Sequence, residues 1–494
     1  MQHLIQHFKT RPWFLPLVPV FFVLHGFLEN FGFVSVREAL LLAGIYCTAT
    51  GLIFLLFYLF YKNILKAALI TAYTVGAYLF FGACHDFFLA HIPLLGKYSV
   101  SLGILLGLFF ILLFRLKKRT VSNRPVLLLN LVLLAYVLID LGLVTTRFIN
   151  PPANKLGLMS TRLAYQPVRQ TEKPDIWFLI FDEYASSLSL EQQYGYHNDL
   201  DAWLKEYGFS VQAKSYSNYS YTPASTASIL NMSYISGITD SMQLTARDMN
   251  YCLELIKNNE VIKFLSRQGY GIENLSGFDL AGNPAPLSET LLPVKTRLIT
   301  SNTLLARMQK DLGWVFFKGA LGKWLDDPVQ GARYYNGTIL QRLNAQAAKQ
   351  TGHPVFVYGH VYMPHAPFLY DQNGQLRNRQ AILTSDSLAT PAAYLDYLRF
   401  TNTEITRLVT AIRQHTHDKA VIVLMGDHGF RYHGTQNLRE NFQNLNAVYL
   451  PGRDYHLFYD SVTCVNQFRI VFNSLFGQSI PLLKDSTIFL AGVP

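Results

Sequence analysis

The sequence predicts a two-part chain: an all-α bundle of about five transmembrane helices, followed by an α/β unit built on a doubly wound, mostly parallel sheet. Three observations predict it. Long uncharged apolar runs are confined to residues 1–150. From about residue 174, shorter apolar runs alternate with helical patterns and with Gly, Pro, Asn, Asp and Ser. Several of those short runs end in acidic or histidine residues, as buried parallel strands do when their carboxyl ends carry chemistry. The expected division is a transmembrane part over 1–150, a Pro-rich polar linker over 151–173, and an α/β domain over 174–494.

Five apolar runs support the first part: Trp13 to Phe31, Ala39 to Tyr61, Leu65 to Leu89, Val100 to Phe114 and Pro125 to Val144. Each approaches the roughly 20 residues that a helix needs to cross about 30 Å of hydrocarbon. The chain has 50% hydrophobic and only 15% charged residues, too apolar for an ordinary soluble protein. Its net charge of +10 resembles a nucleic-acid signal until it is divided. Of the 42 basic and 32 acidic residues, 12 and 4 lie within 1–150, so this part carries +8 and the remainder +2. That distribution argues against a nucleic-acid partner and gives the basic excess a topological meaning.

Lys9, Arg11, Lys62, Lys66, Arg115, Lys117, Lys118, Arg119 and Arg124 lie in alternate connections, whereas the others offer only Arg37 and Lys97. The bias of Lys and Arg toward the cytoplasm then places the amino terminus inside and everything after the fifth span outside, as in a multi-pass protein of a bacterial inner membrane. His25, Glu29, His85, Asp86 and Asp140 fall toward the outer ends of the spans, where they line a lipid-headgroup cleft or face interfacial water. Cys47, Cys84, Cys252 and Cys464 show no zinc spacing, and Cys252 and Cys464 read either as a disulfide or as buried thiols.

In the second part, PDIWFLIF before Asp182 and Glu183, PVFVYGHV over 354–361, and AVIVLMG before Asp427 and His428 read as strands. Helical patterns cover Asn198 to Tyr207, Asp248 to Ser266 and Ala392 to Gln414. Between them, Tyr221-Thr222-Pro223 reads as a helix start with Thr222 as the N-cap and Pro223 at the first helical position. A hydroxyl there meets unpaired N–H groups and the positive end of the helix dipole, a setting suited to phosphate.

An Asp ending the first strand, a Thr at a helix start some 40 residues on, His365 in a His-x-Pro-Phe motif, and Asp427-His428-Gly429 together resemble the alkaline phosphatase and sulfatase superfamily. The anchor followed by an outward domain is similar in plan to lipoteichoic acid synthases and lipid A phosphoethanolamine transferases. The resemblance implies that Asp182, Thr222, Asp427 and His428 bind one divalent metal, zinc or manganese, and that His365 contacts the transferred phosphoryl group. Two carboxylates, an imidazole and an alkoxide suit such an ion, which lowers the hydroxyl pKa and neutralises phosphoryl charge. Glu183 aligns with a second acidic ligand of sulfatases or is a surface carboxylate. His360 and His433 are candidates to donate to substrate oxygens or to protonate a leaving group, and Arg431 to clamp a phosphate.

Two departures matter. Sulfatases carry a convertible Cys or Ser in a C/S-x-P-x-R motif, whereas Thr222-Pro-Ala-Ser-Thr226 has none, nor the motif Arg. Asp182 stands where the lipid-using transferases usually have Glu. The expected function is therefore a membrane-bound, metal-dependent transferase. It takes phosphoethanolamine or phosphoglycerol from a phospholipid donor to an envelope glycan or lipid acceptor through a phosphothreonine intermediate. The rivals are a phosphodiesterase or other sulfatase-like hydrolase on the same scaffold, and a non-catalytic envelope-assembly scaffold. Oligomeric state is not legible.

Overall fold

The computed structural model describes residues 8, 10–32, 34–150, 156–159, 163–168, 173–287, 296–308, 328–379, 381–382, 391–431 and 439–492. By internal contacts the chain divides into two compact units, Met1–Ala153 with Glu289–Leu325, and Asn154–Ser288 with Asp326–Pro494. The described residues 296–308, which a contiguous reading assigns to the second part, group with the first.

The first unit is helical, and each of the five apolar runs forms helix: α1 (Phe14–Glu29), α2 (Val36–Tyr61), α3 (Ile64–Leu79) with α4 (Phe81–His91), α5 (Tyr98–Lys118) and α6 (Asn123–Ile149). Three of these, α2, α5 and α6, are long and apolar enough to cross a membrane, and α3 with α4 makes a fourth candidate bent by 61°. α1 is apolar but has only 16 residues. These apolar helices are the membrane-associating part of the protein. α2 starts on a reciprocal cap, in which Ser35 and Glu38 each accept the other's backbone N–H, and ends on left-handed Lys62.

Asn130, buried in this unit, is partnered across helices. The Asn130 amide accepts from Phe14 N–H at 2.6 Å and donates to the carbonyls of Phe8 and Arg11 at 2.7 and 2.8 Å. Of the polar residues singled out in the apolar runs, His25 meets Asp140 at 3.0 Å and Glu29 at 3.5 Å. Asp86 pairs with Arg307. Ile299, in α8 (Arg297–Thr300), lies against Gly26, where any β-carbon would meet its side chain at 2.7 Å.

The second unit is a three-layer α/β/α structure. Its six-stranded sheet comprises β1 (Ile176–Phe181), β2 (Ser210–Val211), β3 (Gly271–Leu275), β4 (Val355–Val361), β5 (Val421–Met425) and β6 (Asn446–Tyr449), in the order β2-β6-β5-β1-β4-β3. The four strands β5, β1, β4 and β3 run parallel, and at one edge β6 pairs antiparallel with β5 and β2 pairs antiparallel with β6. The apolar run of β1 is explained by burial on both faces, since alternate side chains enter separate cores. Ile176, Phe178 and Ile180 face one core with α9 (Thr222–Asn231) and α10 (Gln467–Phe476). Trp177, Leu179 and Phe181 face the other with α11 (Pro328–Ala347) and α12 (Pro391–His415). Each such fully buried side chain contributes about 1.5–3 kcal/mol. α12 buries Tyr394, Leu398, Thr401, Ile405, Leu408 and Ile412, the spacing of a single helix face. The pattern over Asp248 to Ser266 resolves into two helices, Ala246–Lys257 and Glu260–Arg267, because Asn259 caps the second by accepting from Ile262 N–H. Cys252 and Cys464 are free buried thiols.

Candidate active site

The site stands at the carboxyl ends of β1, β4 and β5. Asp182 follows β1 directly and extends its pairing with β4 by donating its N–H to Val361 O at 3.0 Å. His360 is the penultimate residue of β4, and Asp427 and His428 follow β5 after Gly426. Gly426 and Gly429 bracket these two residues for a steric reason: a β-carbon at 426 would sit 2.5 Å from the Tyr184 carbonyl oxygen, and one at 429 would collide with that of Glu440.

Thr222 opens α9, but it does not cap it. The N-cap is Tyr221, in extended conformation and without a side-chain bond, so Thr222 is the first helical residue and Pro223 the second. This corrects the expectation of a threonine cap. The physical reason is that the hydroxyl is engaged elsewhere, 3.2 Å from Nε2 of His428. The helix is tied to the β5 loop by Ser225, whose hydroxyl donates to Asp427 O at 2.6 Å.

Around Thr222 the ionisable groups converge. His428 Nε2 lies 3.4 Å from Asp427 Oδ2 and 3.8 Å from Asp182 Oδ1. Its Nδ1 lies 2.9 Å from Gly429 O, an acceptor only, so Nδ1 donates there and Nε2 is the ring nitrogen that faces Thr222 and the carboxylates. His360 Nε2 lies 3.3 Å from Asp182 Oδ2, and its Nδ1 lies 3.2 Å from the Tyr358 hydroxyl. Burial alone would raise the Asp182 carboxyl, yet His365, His360 and His428 hold it well below the usual carboxylate range.

These residues fit a metal ion. Asp182, His360 and Asp427 each offer a ligand atom, all within 4.8 Å of one another, and all three residues are buried. Asp182 Oδ1 and Asp427 Oδ2 are buried without a hydrogen-bond partner, a costly state for carboxylate oxygens that a cation would relieve. His428 borders the same carboxylates, and the Thr222 hydroxyl meets the His428 ring. His360 therefore lies among the candidate ligands rather than only among candidate substrate contacts.

A second group adjoins the first. Glu183 is buried, at 6% exposure, not a surface carboxylate. Its left-handed backbone, φ 61°, turns it away from Asp182. Glu183 Oε1 accepts from the backbone N–H and Nε of Arg431 at 3.0 and 3.3 Å, and Oε2 faces His365 Nε2 at 3.7 Å. Burial works against the charge of both Glu183 and His365. Arg431 and His365 nevertheless hold the carboxyl below its usual range, while Glu183 and then Asp182 raise the His365 imidazolium above its own. Arg431 also reaches Ser220 O at 3.4 Å and lies over the Tyr221 ring at 4.5 Å.

Of the residues singled out in the sequence, Asp182, Thr222, His360, Asp427 and His428 come together, with His365 and Arg431 joined to them through Glu183. His433 lies outside the described residues. Two contributors were missed. Tyr358, two residues before His360 on one strand and hence on its face, carried a readable signal. Ser225 carried none, because its partner is 202 residues away.

A doubly wound sheet that gathers two carboxylates, two imidazoles and a hydroxyl at its carboxyl edge defines a metal-dependent esterase or transferase class of enzyme. The chain belongs to the sulfatase family, whose model matches residues 181–468. It is an enzyme of that family, and the family uses a metal. Similar solved structures include the phosphonate monoester hydrolase of Agrobacterium radiobacter (14% identity, 64% of this chain and 76% of that one, TM-score 0.40). Another is the C-terminal periplasmic domain of EcEptC from Escherichia coli (13%, 68% and 92%, TM-score 0.40), also solved in complex with Zn. A third is the putative sulfatase yidJ from Bacteroides fragilis (12%, 63% and 75%, TM-score 0.39). No curated protein matches the sequence.

Proposed function

We propose that this protein is a membrane-bound transferase that moves phosphoethanolamine or phosphoglycerol from a phospholipid to a hydroxyl of an envelope glycan or lipid, through a phosphothreonine at Thr222. The observation that carries this reading is the Thr222 hydroxyl beside His428 Nε2, at 3.2 Å, in a sulfatase-family site without a convertible Cys or Ser. A threonine cannot become formylglycine, but it can attack phosphorus directly.

In the first step the Thr222 oxygen bonds to the donor phosphorus and loses its proton. The bond from phosphorus to the diacylglycerol oxygen breaks, and that oxygen takes up a proton. In the second step an acceptor hydroxyl attacks the same phosphorus, loses its proton, and the Thr222 oxygen regains one. His365 and Arg431 contact the phosphoryl oxygens, and Tyr358 fixes the orientation of His360. Asp182, Thr222, Asp427 and His428, with His360 as a further donor, would hold a divalent zinc or manganese ion, whose positive charge would lower the hydroxyl pKa and offset charge on the phosphoryl group.

The apolar helices of residues 1–150 support a lipid donor, since a chain confined to a bilayer meets lipid headgroups at high effective concentration. The Lys and Arg distribution supports an amino terminus inside, with the catalytic unit, residues 174–494 apart from the segment near 296–308, on the periplasmic side of the inner membrane. The test is mass spectrometry of the purified protein turning over phospholipid. A phosphoethanolamine or phosphoglycerol adduct on the Thr222 peptide is expected. An unmodified peptide, with activity retained in Thr222→Ala, refutes the covalent route, and headgroup phosphate released without any acceptor marks a hydrolase.

A further inference from the structure

Glu183 is next to a candidate metal ligand in sequence, yet its contacts are with cations. Both of its carboxylate oxygens face positively charged or protonatable groups: Arg431 N–H and Nε on Oε1, and His365 Nε2 opposite Oε2. Its backbone is equally committed, the N–H donating to Asp427 Oδ1 at 3.0 Å and the carbonyl accepting from the Tyr394 hydroxyl at 2.9 Å. The residue therefore joins the loop after β1, the loop after β4, the loop after β5 and helix α12. Among the described residues, the group able to hold a cation comprises Asp182, His360 and Asp427 and omits Glu183.

What Glu183 holds is placed for an anion. The Arg431 guanidinium lies over Tyr221 and reaches Ser220 O, the two residues immediately before Thr222. His365 is fixed at its other nitrogen by Ala366 O at 2.5 Å, so its Nε2 edge is the one presented to Glu183. A partly exposed arginine and imidazole beside a helix start favour a tetrahedral oxyanion, and a buried carboxylate between them keeps both oriented while the anion is absent.

We propose that Glu183 is a positioning residue that holds Arg431 and His365 as a paired clamp for the non-bridging oxygens of a phosphate ester at Thr222. This deepens the phosphoryl-transfer reading and rests on it for the identity of the anion. Glu183 binds neither the metal nor the substrate itself, and it acts through the two cations.

Inorganic phosphate is the probe. Calorimetric titration of the full-length, detergent-solubilised protein, with bound metal measured by elemental analysis, compares wild type with Glu183→Gln, Arg431→Ala and the double variant. Glu183→Gln is expected to weaken phosphate binding on the order of tenfold at unchanged metal stoichiometry. Arg431→Ala is expected to do the same, and the double variant to lose little more than Arg431→Ala alone. Loss of metal in Glu183→Gln, or losses that simply add in the double variant, overturns the proposal. Should Glu183→Gln fail to fold, Arg431→Ala and His365→Ala decide: tenfold weaker binding in both supports the clamp, and unchanged binding in either overturns it. Phosphate binding needs no covalent step, so an unmodified Thr222 under turnover would sink the transferase mechanism while leaving this result standing.

Discussion

The Thr222 hydroxyl lies 3.2 Å from Nε2 of His428, a residue 206 positions away in the chain. Because Nδ1 of His428 is committed to the Gly429 carbonyl, Nε2 is the ring nitrogen that meets the hydroxyl. The relationship makes Thr222 the expected nucleophile and sets the first prediction. Thr222→Ala is expected to lower phosphodiester transfer by about a thousandfold or more, while Thr222→Ser, which keeps the oxygen, retains measurable activity. Initial rates with a labelled phospholipid donor check it.

Asp427 is fully buried and carries an unpartnered carboxylate oxygen. Asp427→Asn removes its charge but keeps a carbonyl oxygen able to accept from Glu183 N–H. Bound zinc or manganese is expected to fall by at least about tenfold in affinity with the fold preserved. Chelator treatment of the wild type is expected to abolish activity, with restoration on adding back metal. Elemental analysis and circular dichroism distinguish this from unfolding.

Arg469, in α10, is 1% exposed and spends its donors on backbone carbonyls: Nε on Met232 O at 2.8 Å and Nη1 on Pro481 O at 2.5 Å. Met232 closes α9, the helix that Thr222 opens. Arg469→Ala leaves these buried carbonyls without donors and opens a cavity, so a loss of about 2–4 kcal/mol in stability is expected. A thermal melt of the solubilised protein reads it as a lowered Tm.

Burial pushes the thiols of Cys252 and Cys464 up to about 12. A raised thiol pKa means that the reactive thiolate appears only as pH rises toward that value. At pH 8 it is about one part in ten thousand. Neither residue is expected to react with iodoacetamide at pH 8 in the folded state, and both should react after denaturation, which peptide mapping resolves.

Much of the fold was legible because it follows from local pattern. β1 and β5 are apolar along their whole length, as strands covered on both faces must be, and they end where Asp182 and Gly426 interrupt the run, while β4 is equally buried but carries His360 near its end. The candidate site was legible for the same reason: strands of a doubly wound sheet deliver their following residues to one edge, so Asp182 and Asp427 could be expected together. Glu183 was not legible. Its neighbour in sequence points to the carboxylate cluster, but its own backbone is left-handed, and whether such a side chain turns inward or outward depends on partners 182 and 248 residues away.

Sequence alone determined that the chain has an apolar helical part and an α/β part, and which residue types stand at the strand ends, because periodicity and hydropathy act over a few residues. Only the tertiary structure decided that the Thr222 hydroxyl turns to His428 instead of capping its helix, that His360 joins the buried carboxylates, and that Glu183 faces Arg431 and His365. Those choices are made by packing between segments far apart in the chain, where the free energy of burying a charge depends on what lies opposite it.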